Sequence, residues 1–250
     1  MNFVAIAFLG IFLIPLVLFI RRADLGSRFS LRPLSGYEAL RTLLSRAAET
    51  GGPIHISVGT GGINTPQTAE TLAGLETLQF LATRAAVGSI PPIVTVNDAA
   101  VLPLAQDQLR RAFTREGYPE EYDPRRVRLI APAANKNNVP YAVGVMDVLA
   151  HENVFANVVV GSFGDEFLLI AEPPAQKATP QIGGTTSPEV LPFVYTSVEH
   201  PLLGEEIYAA GAYLSRKPAH LSSLLAQDTV RAVIVITLIL GAILRMAGMI

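Results

Sequence analysis

The sequence predicts an α/β fold: a doubly wound, mostly parallel (Rossmann-like) sheet of about five strands, flanked by N- and C-terminal transmembrane helices. Two observations carry this reading. Between residues 35 and 217, short β-branched runs alternate with longer stretches of helical periodicity. Strands separated by helices of that length need crossover connections, so the sheet should be mostly parallel. Right-handed crossovers then put helices on both of its faces. The second observation is an apolar run at each end of the chain.

The first run, "NFVAIAFLGIFLIPLVLFI" (2–20), carries no charge and is long enough to cross a bilayer core as a helix. Pro15 lies within it, and transmembrane helices tolerate proline where the freed backbone groups find other partners. No Lys or Arg precedes the run, and "LFIRRADLG" follows it in place of a small-residue cleavage site. This pattern predicts an uncleaved anchor rather than a signal peptide. Arg21, Arg22, Arg28 and Arg32 follow in a juxtamembrane linker, 21–34. The positive-inside rule then sets the N-terminus outside and the domain that follows in the cytoplasm.

The predicted domain spans 35–217. It opens with a helix, "SGYEALRTLLSRAAETGG" (35–52), whose Leu40, Leu43, Leu44 and Ala47 fall at helical spacing. "IHISV" (54–58) is the first strand, and a helix runs from about Pro66 to Ala86, with Thr65 as its expected cap and Pro66 at its first position. "PIVTV" (92–96) precedes a helix over about 100–116, which Asp98 can cap. "VRLIA" (127–131) precedes a helix over about 140–151, and "ANVVVG" (156–161) precedes "DEFLLIAEP". The fifth strand, "PQIGG" (180–184), is short and begins at a proline, which predicts an edge position. A last helix, "SPEVLPFVYTSVEH", has Ser187 and Pro188 at its start, and "EHPLLGEE" (199–206) reads as a solvated turn. A juxtamembrane helix (218–230) leads into the second span (231–250), with Asp228 and Arg231 spaced to pair. Its charge-free centre, Ala232 to Leu244, is short for a bilayer unless Arg231 and Arg245 reach the two interfaces with their long stems.

Composition narrows the function classes. Hydrophobic types make up 50% of the chain and charged types only 16%, more apolar than a typical soluble domain. With no cysteine, disulfides, thiolate metal ligands and cysteine nucleophiles are excluded. A net charge of −2 supplies no basic field for nucleic acid. The four histidines, His55, His151, His200 and His220, show no H-x-x-x-H or H-E-x-x-H spacing. They read as surface or locally hydrogen-bonded residues, and no metal site is expected.

In an open parallel sheet, ligands bind outside the carboxyl ends of the strands. The tentative ligand-binding residues at those ends are Gly59, Thr60, Gly61, Gly62, Asp98, Gly161, Ser162 and Gly164. Short strand-to-helix turns use the same small and polar residue types. The first loop lacks the lysine of a P-loop, and it meets the dinucleotide fingerprint only in Gly59-x-Gly61, with Asn64 where the third glycine belongs. Asp98 suits a ribose contact and a helix cap equally. "GSFGDE" (161–166) does not meet the Gly-x-Ser-x-Gly nucleophile pattern, so Asp165 and Glu166 read as acidic residues in a helix's first turn. "ANKNNVPY" (134–141) reads as a polar loop over the sheet end. No cofactor motif is complete, and no catalytic residue is singled out.

"HISVGTGG", "PPIVTV", "LPLAQDQLRRAF", "NVVVGSFGDE" and "HPLLGEEIYAAGAYL", in this order, resemble an uncharacterised family of bacterial membrane proteins, a domain of unknown function, over about residues 36–231. The resemblance implies a membrane-anchored bacterial protein and assigns no activity. The expected localisation is the bacterial inner membrane, two-pass, with the central domain cytoplasmic and both termini outside. The expected function is a non-enzymatic scaffold or accessory subunit of an inner-membrane assembly. Its expected partners are membrane lipids and further copies of the chain or other membrane subunits, without nucleic acid. The alternative is a membrane-tethered sensor or enzyme that binds a nucleotide or phosphorylated small molecule at the strand ends.

Overall fold

The computed structural model describes residues 10, 12–13, 15–21, 31–131, 138–216 and 218–246. They fall into two compact units, Pro33–Ala210 on one hand and Met1–Arg32 with Gly211–Ile250 on the other. The first unit is the α/β domain. Its elements are α1 (Ser35–Thr50), β1 (Ile54–Gly59), α2 (Thr68–Val87), β2 (Ile93–Val96), α3 (Val101–Glu116), β3 (Val127–Leu129), α4 (Val139–His151), β4 (Ala156–Ser162), α5 (Glu166–Gln176), β5 (Gln181–Thr185), α6 (Leu191–Ser197) and β6 (His200–Leu203).

The sheet has six strands in the order β3-β2-β1-β4-β5-β6, and every pairing is parallel. This is the strand order of doubly wound dinucleotide-binding domains, with its topological switch point between β1 and β4. The expected count of about five falls one short. The added strand is His200–Leu203, inside the stretch read as a solvated turn. Its four residues carry no alternation of apolar and polar types, so only pairing with β5 reveals it. As a result β5 is not an edge: it lies between β4 and β6 and is buried along its length. The proline-bearing edge strand is β6 itself, with Pro201 opposite Gly183.

The two faces of the sheet differ. On one, α2 packs on β1 and β4, α1 on β5 and β6, and α3 on β2 and β3, and Ile56 and Val58 of β1, Val158 and Val160 of β4 and Ile182 of β5 are buried. On the other, α4, α5 and α6 pack through Tyr141, Val145, Leu149, Phe167, Ile170 and Val194 onto Val159 of β4. Because successive side chains of a strand point to opposite faces, the buried polar residues His55, Ser57, Thr95, Asn157 and Gln181 share this second face.

Helix ends depart from expectation where a capping side chain has another partner. α2 begins at Thr68, not at Pro66. The Thr65 hydroxyl donates to the Gly62 carbonyl (3.1 Å) and the Thr68 hydroxyl to the Thr65 carbonyl (2.7 Å). Thr65 therefore closes a turn instead of capping the helix. α6 begins at Leu191; the carbonyl of Ser187, not its hydroxyl, accepts from Val190 N–H and Leu191 N–H at 3.0 and 3.1 Å. Asp98 does cap, its Oδ1 accepting from Ala100 N–H at 2.8 Å.

In the second unit, one continuous helix, α7, runs from Pro218 to Met246. Its most apolar 18-residue window has a mean hydropathy of 2.0 and buries none of its residues, so α7 is long and apolar enough to cross a membrane. Asp228 and Arg231 pair across one turn at 3.8 Å. Most of the expected first span, 2–20, lies outside the described residues; those of it that are described, from Gly10 onward, are helical.

Candidate functional site

β1 and β4 are neighbours, so their carboxyl ends bring the glycine loop 59–62 beside the loop 161–164. The two loops meet backbone to backbone. A Cβ on Gly59, whose φ is +95°, would lie 2.6 Å from the Ser162 carbonyl oxygen, and one on Gly161, whose φ is +151°, would strike the Val58 carbonyl. Only glycine allows this approach. The register of β1 against β4 shifts between Ser57 and Gly59, and Thr60 N–H then donates to the Ser162 carbonyl at 2.8 Å. The Thr60 hydroxyl reaches the same carbonyl at 3.2 Å.

The remaining space between the loops holds a carboxylate. Glu166, at the start of α5, is 6% exposed. Its Oε1 accepts from Gly164 N–H at 2.9 Å, from the Thr60 hydroxyl at 3.2 Å and from the Asn138 side-chain amide at 3.2 Å. Asn138 also donates to the Thr60 hydroxyl oxygen at 3.2 Å. One carboxylate thus ties together three loops: those after β1 and β4, and the one that enters α4. The N-terminus of a helix beside backbone N–H groups is where a phosphate sits in dinucleotide-binding folds. Here the N-terminus of α5 and the Gly164 N–H face the chain's own Glu166 side chain instead.

All eight sequence-predicted residues lie at this end of the sheet. Gly59, Thr60, Gly161, Ser162 and Gly164 form the contact just described. Gly61 packs against Gln67, Thr71 and Ser162, and Gly62 lies against the Asp98 carboxylate, which shields it. Asp98 caps α3 with its other oxygen. On the far side, the Thr186 hydroxyl donates to Glu70 of α2. Residues 132–137, with Lys136 among them, lie outside the described residues. Among the described residues, no group of three or more His, Asp or Glu side chains is placed to hold a metal ion.

Sequence reasoning missed Glu166 and Asn138, and it misplaced His55. Far from the surface, His55 is fully buried at the centre of the sheet, and its partners are distant in sequence. A run of hydrogen bonds crosses four strands there, and its donors and acceptors can be assigned in order. Gln181 Nε2 donates to the Ala171 carbonyl at 2.9 Å, which turns its Oε1 toward Asn157 Nδ2 at 3.1 Å. Asn157 Oδ1 therefore faces His55 Nδ1 at 2.7 Å, so Nδ1 carries the ring proton. Nε2 is left to accept from the Thr95 hydroxyl at 3.0 Å. Tyr141 donates to the Thr95 carbonyl at 3.2 Å and lies 2.6 Å from the Ser57 hydroxyl. Ser57 Oγ in turn accepts from Gly59 N–H at 3.4 Å.

Burial, with a smaller contribution from the positive charge of Arg128, pushes His55 down to about 4 despite the opposing hydrogen bond to Asn157. Burial pushes the Tyr141 phenol up to about 12 against its hydrogen bonds to Ser57 and Thr95. Both groups are therefore neutral at pH 7. The signal that would have found the network is one or two polar residues in each of four largely apolar strands: His55 and Ser57, Thr95, Asn157 and Gln181.

Over residues 1–250, the chain matches a family model described as a domain of unknown function (DUF6754). No curated protein matches it, and no solved structure does.

Proposed function

We propose that this chain, which belongs to the DUF6754 family, is a membrane-anchored scaffold or accessory subunit of a bacterial inner-membrane assembly. The reading is carried by α7: an apolar helix of 29 residues whose most apolar window buries none of its residues requires a nonpolar environment. The apolar run 2–20 and the arginines Arg21, Arg22, Arg28 and Arg32 support a two-pass topology with the α/β unit on the cytoplasmic side. The closed switch point favours a structural role over turnover. Where a nucleotide's phosphates would approach, the Thr60–Ser162 backbone bond and the Glu166 carboxylate already stand, and a like charge there repels an anion. Homo-oligomerisation would complete the assembly role, with small residues such as Gly241 and Ala242 permitting close helix approach. Size-exclusion chromatography with multi-angle scattering in mild detergent tests it. The expected particle holds more than one copy, and a strictly monomeric particle would count heavily against the reading.

A second reading, a membrane-tethered sensor or enzyme, is favoured by one observation: the strand order sets Gly59–Gly62 and Gly161–Gly164 at the switch point. It requires Glu166 to yield its place to a ligand. Thermal-shift screening of the full chain against nucleotides and phosphorylated metabolites separates the two. Stabilisation by any of them supports a ligand site; a flat response across the set removes it.

A further inference from the structure

The two arginines of α7 set a length. Arg231 and Arg245 are the charges that bracket the run Ala232–Leu244, and α7 is helical through all of it. At 1.5 Å per residue, the two Cα atoms stand about 21 Å apart along the axis. A typical hydrocarbon core is about 30 Å thick. Tilting accommodates a helix that is too long and only worsens one that is too short. The arginine stems close only part of the gap, because helical side chains lean toward the N-terminus and Arg245 therefore reaches outward less than Arg231. Within the run nothing polar needs water: the Thr237 hydroxyl donates to the Val233 carbonyl at 2.8 Å. At one boundary Arg231 is held beside Asp228, a pair that belongs at an interface rather than in hydrocarbon.

From this geometry we infer that α7 is matched to a bilayer with a thin hydrocarbon core, in which it stands upright with Arg231 and Arg245 at opposite headgroup layers. The inference rests on the membrane-anchor reading above. The lipid around α7 is thinned toward it, and in a thick bilayer the helix loses its span.

The chain has no cysteine, so one introduced thiol reports on one position. Leu238, mid-run and 69% exposed, accepts a thiol without disturbing packing. The full chain carrying Leu238→Cys is inserted into phosphatidylcholine vesicles with 14-, 18- or 22-carbon chains and treated with a membrane-impermeant maleimide. The expected result is protection in the 14-carbon vesicles and labelling at least about fivefold faster in the 22-carbon ones. Adding Arg245→Leu, which extends the apolar run, should restore protection in the thick vesicles. Equal protection at all three thicknesses would overturn the thin-bilayer inference and leave the anchor standing. Rapid labelling at every thickness would overturn the anchor reading of α7 itself. Failure of Arg245→Leu to shift the preference would overturn the assignment of Arg245 as the end of the belt.

Discussion

At the residue scale, His55 concentrates the chemistry that the buried network implies. Its proton sits on Nδ1, and its folded value near 4 lies below the ordinary 6.5. Between those values the unfolded chain binds a proton that the folded chain refuses, so stability is complete above pH 6.5 and is lost as the pH falls toward 4. The slope contributed by this one group is about 1.4 kcal/mol per pH unit. The midpoint of urea unfolding, followed from pH 7 to pH 4.5, should decline accordingly. His55→Gln, which lacks a titrating ring, should remove most of that decline while lowering stability at pH 7. A His55→Gln chain with an unchanged pH slope would refute the assignment. A histidine in an otherwise apolar strand is visible in the sequence. Its burial is not, because its partners Thr95 and Asn157 lie 40 and 102 residues away. Glu166 escaped for the same reason. Its first-turn position was legible, but the partners that draw it inward, Thr60 and Asn138, are 106 and 28 residues distant.

At the scale of elements, the joint between β1 and β4 depends on the missing side chain of Gly161. A methyl group there would strike the Val58 carbonyl, and its backbone conformation is nearly closed to other residues. Gly161→Ala should therefore cost about 3 kcal/mol or more. Gly117, after α3, also has a positive φ of +91° but faces open space, so Gly117→Ala should cost only about 1–2 kcal/mol, the ordinary penalty of left-handed backbone. Denaturant titration of the two variants side by side checks the difference, and equal losses would mean that the close approach of the strands is not what Gly161 provides. The elements themselves were legible wherever a periodic run was long. α1 shows this well, burying Leu40, Leu43, Leu44 and Ala47 as their spacing requires. β6 was not legible, since four residues without alternation carry no periodic signal. The start of α2 was misplaced because a threonine before a proline can cap a helix or close a turn, and the Gly62 carbonyl decides which.

At the scale of the whole molecule, alternation of strand and helix was enough to give a parallel, doubly wound sheet. The strand order was beyond its reach, because which strand pairs with which depends on crossovers that leave no mark in a single sequence. Both ends of the sheet discourage growth. β3 has three residues and β6 contains Pro201, so neither offers a long ladder of free donors. Copies of this chain are therefore expected to meet through helices or loops rather than by adding strand to strand.

The contrast between the two faces of the sheet bears on how the chain finds its fold. On the face toward α2, the central strands repeat Ile and Val at every other position, so sliding one strand past its neighbour by two residues would replace one branched aliphatic with another at little cost. On the opposite face the same slide would part His55 from Asn157 and Asn157 from Gln181, leaving buried polar groups without partners at about 1–3 kcal/mol each. The greasy side drives collapse without discriminating among alignments, and the polar side proofreads them.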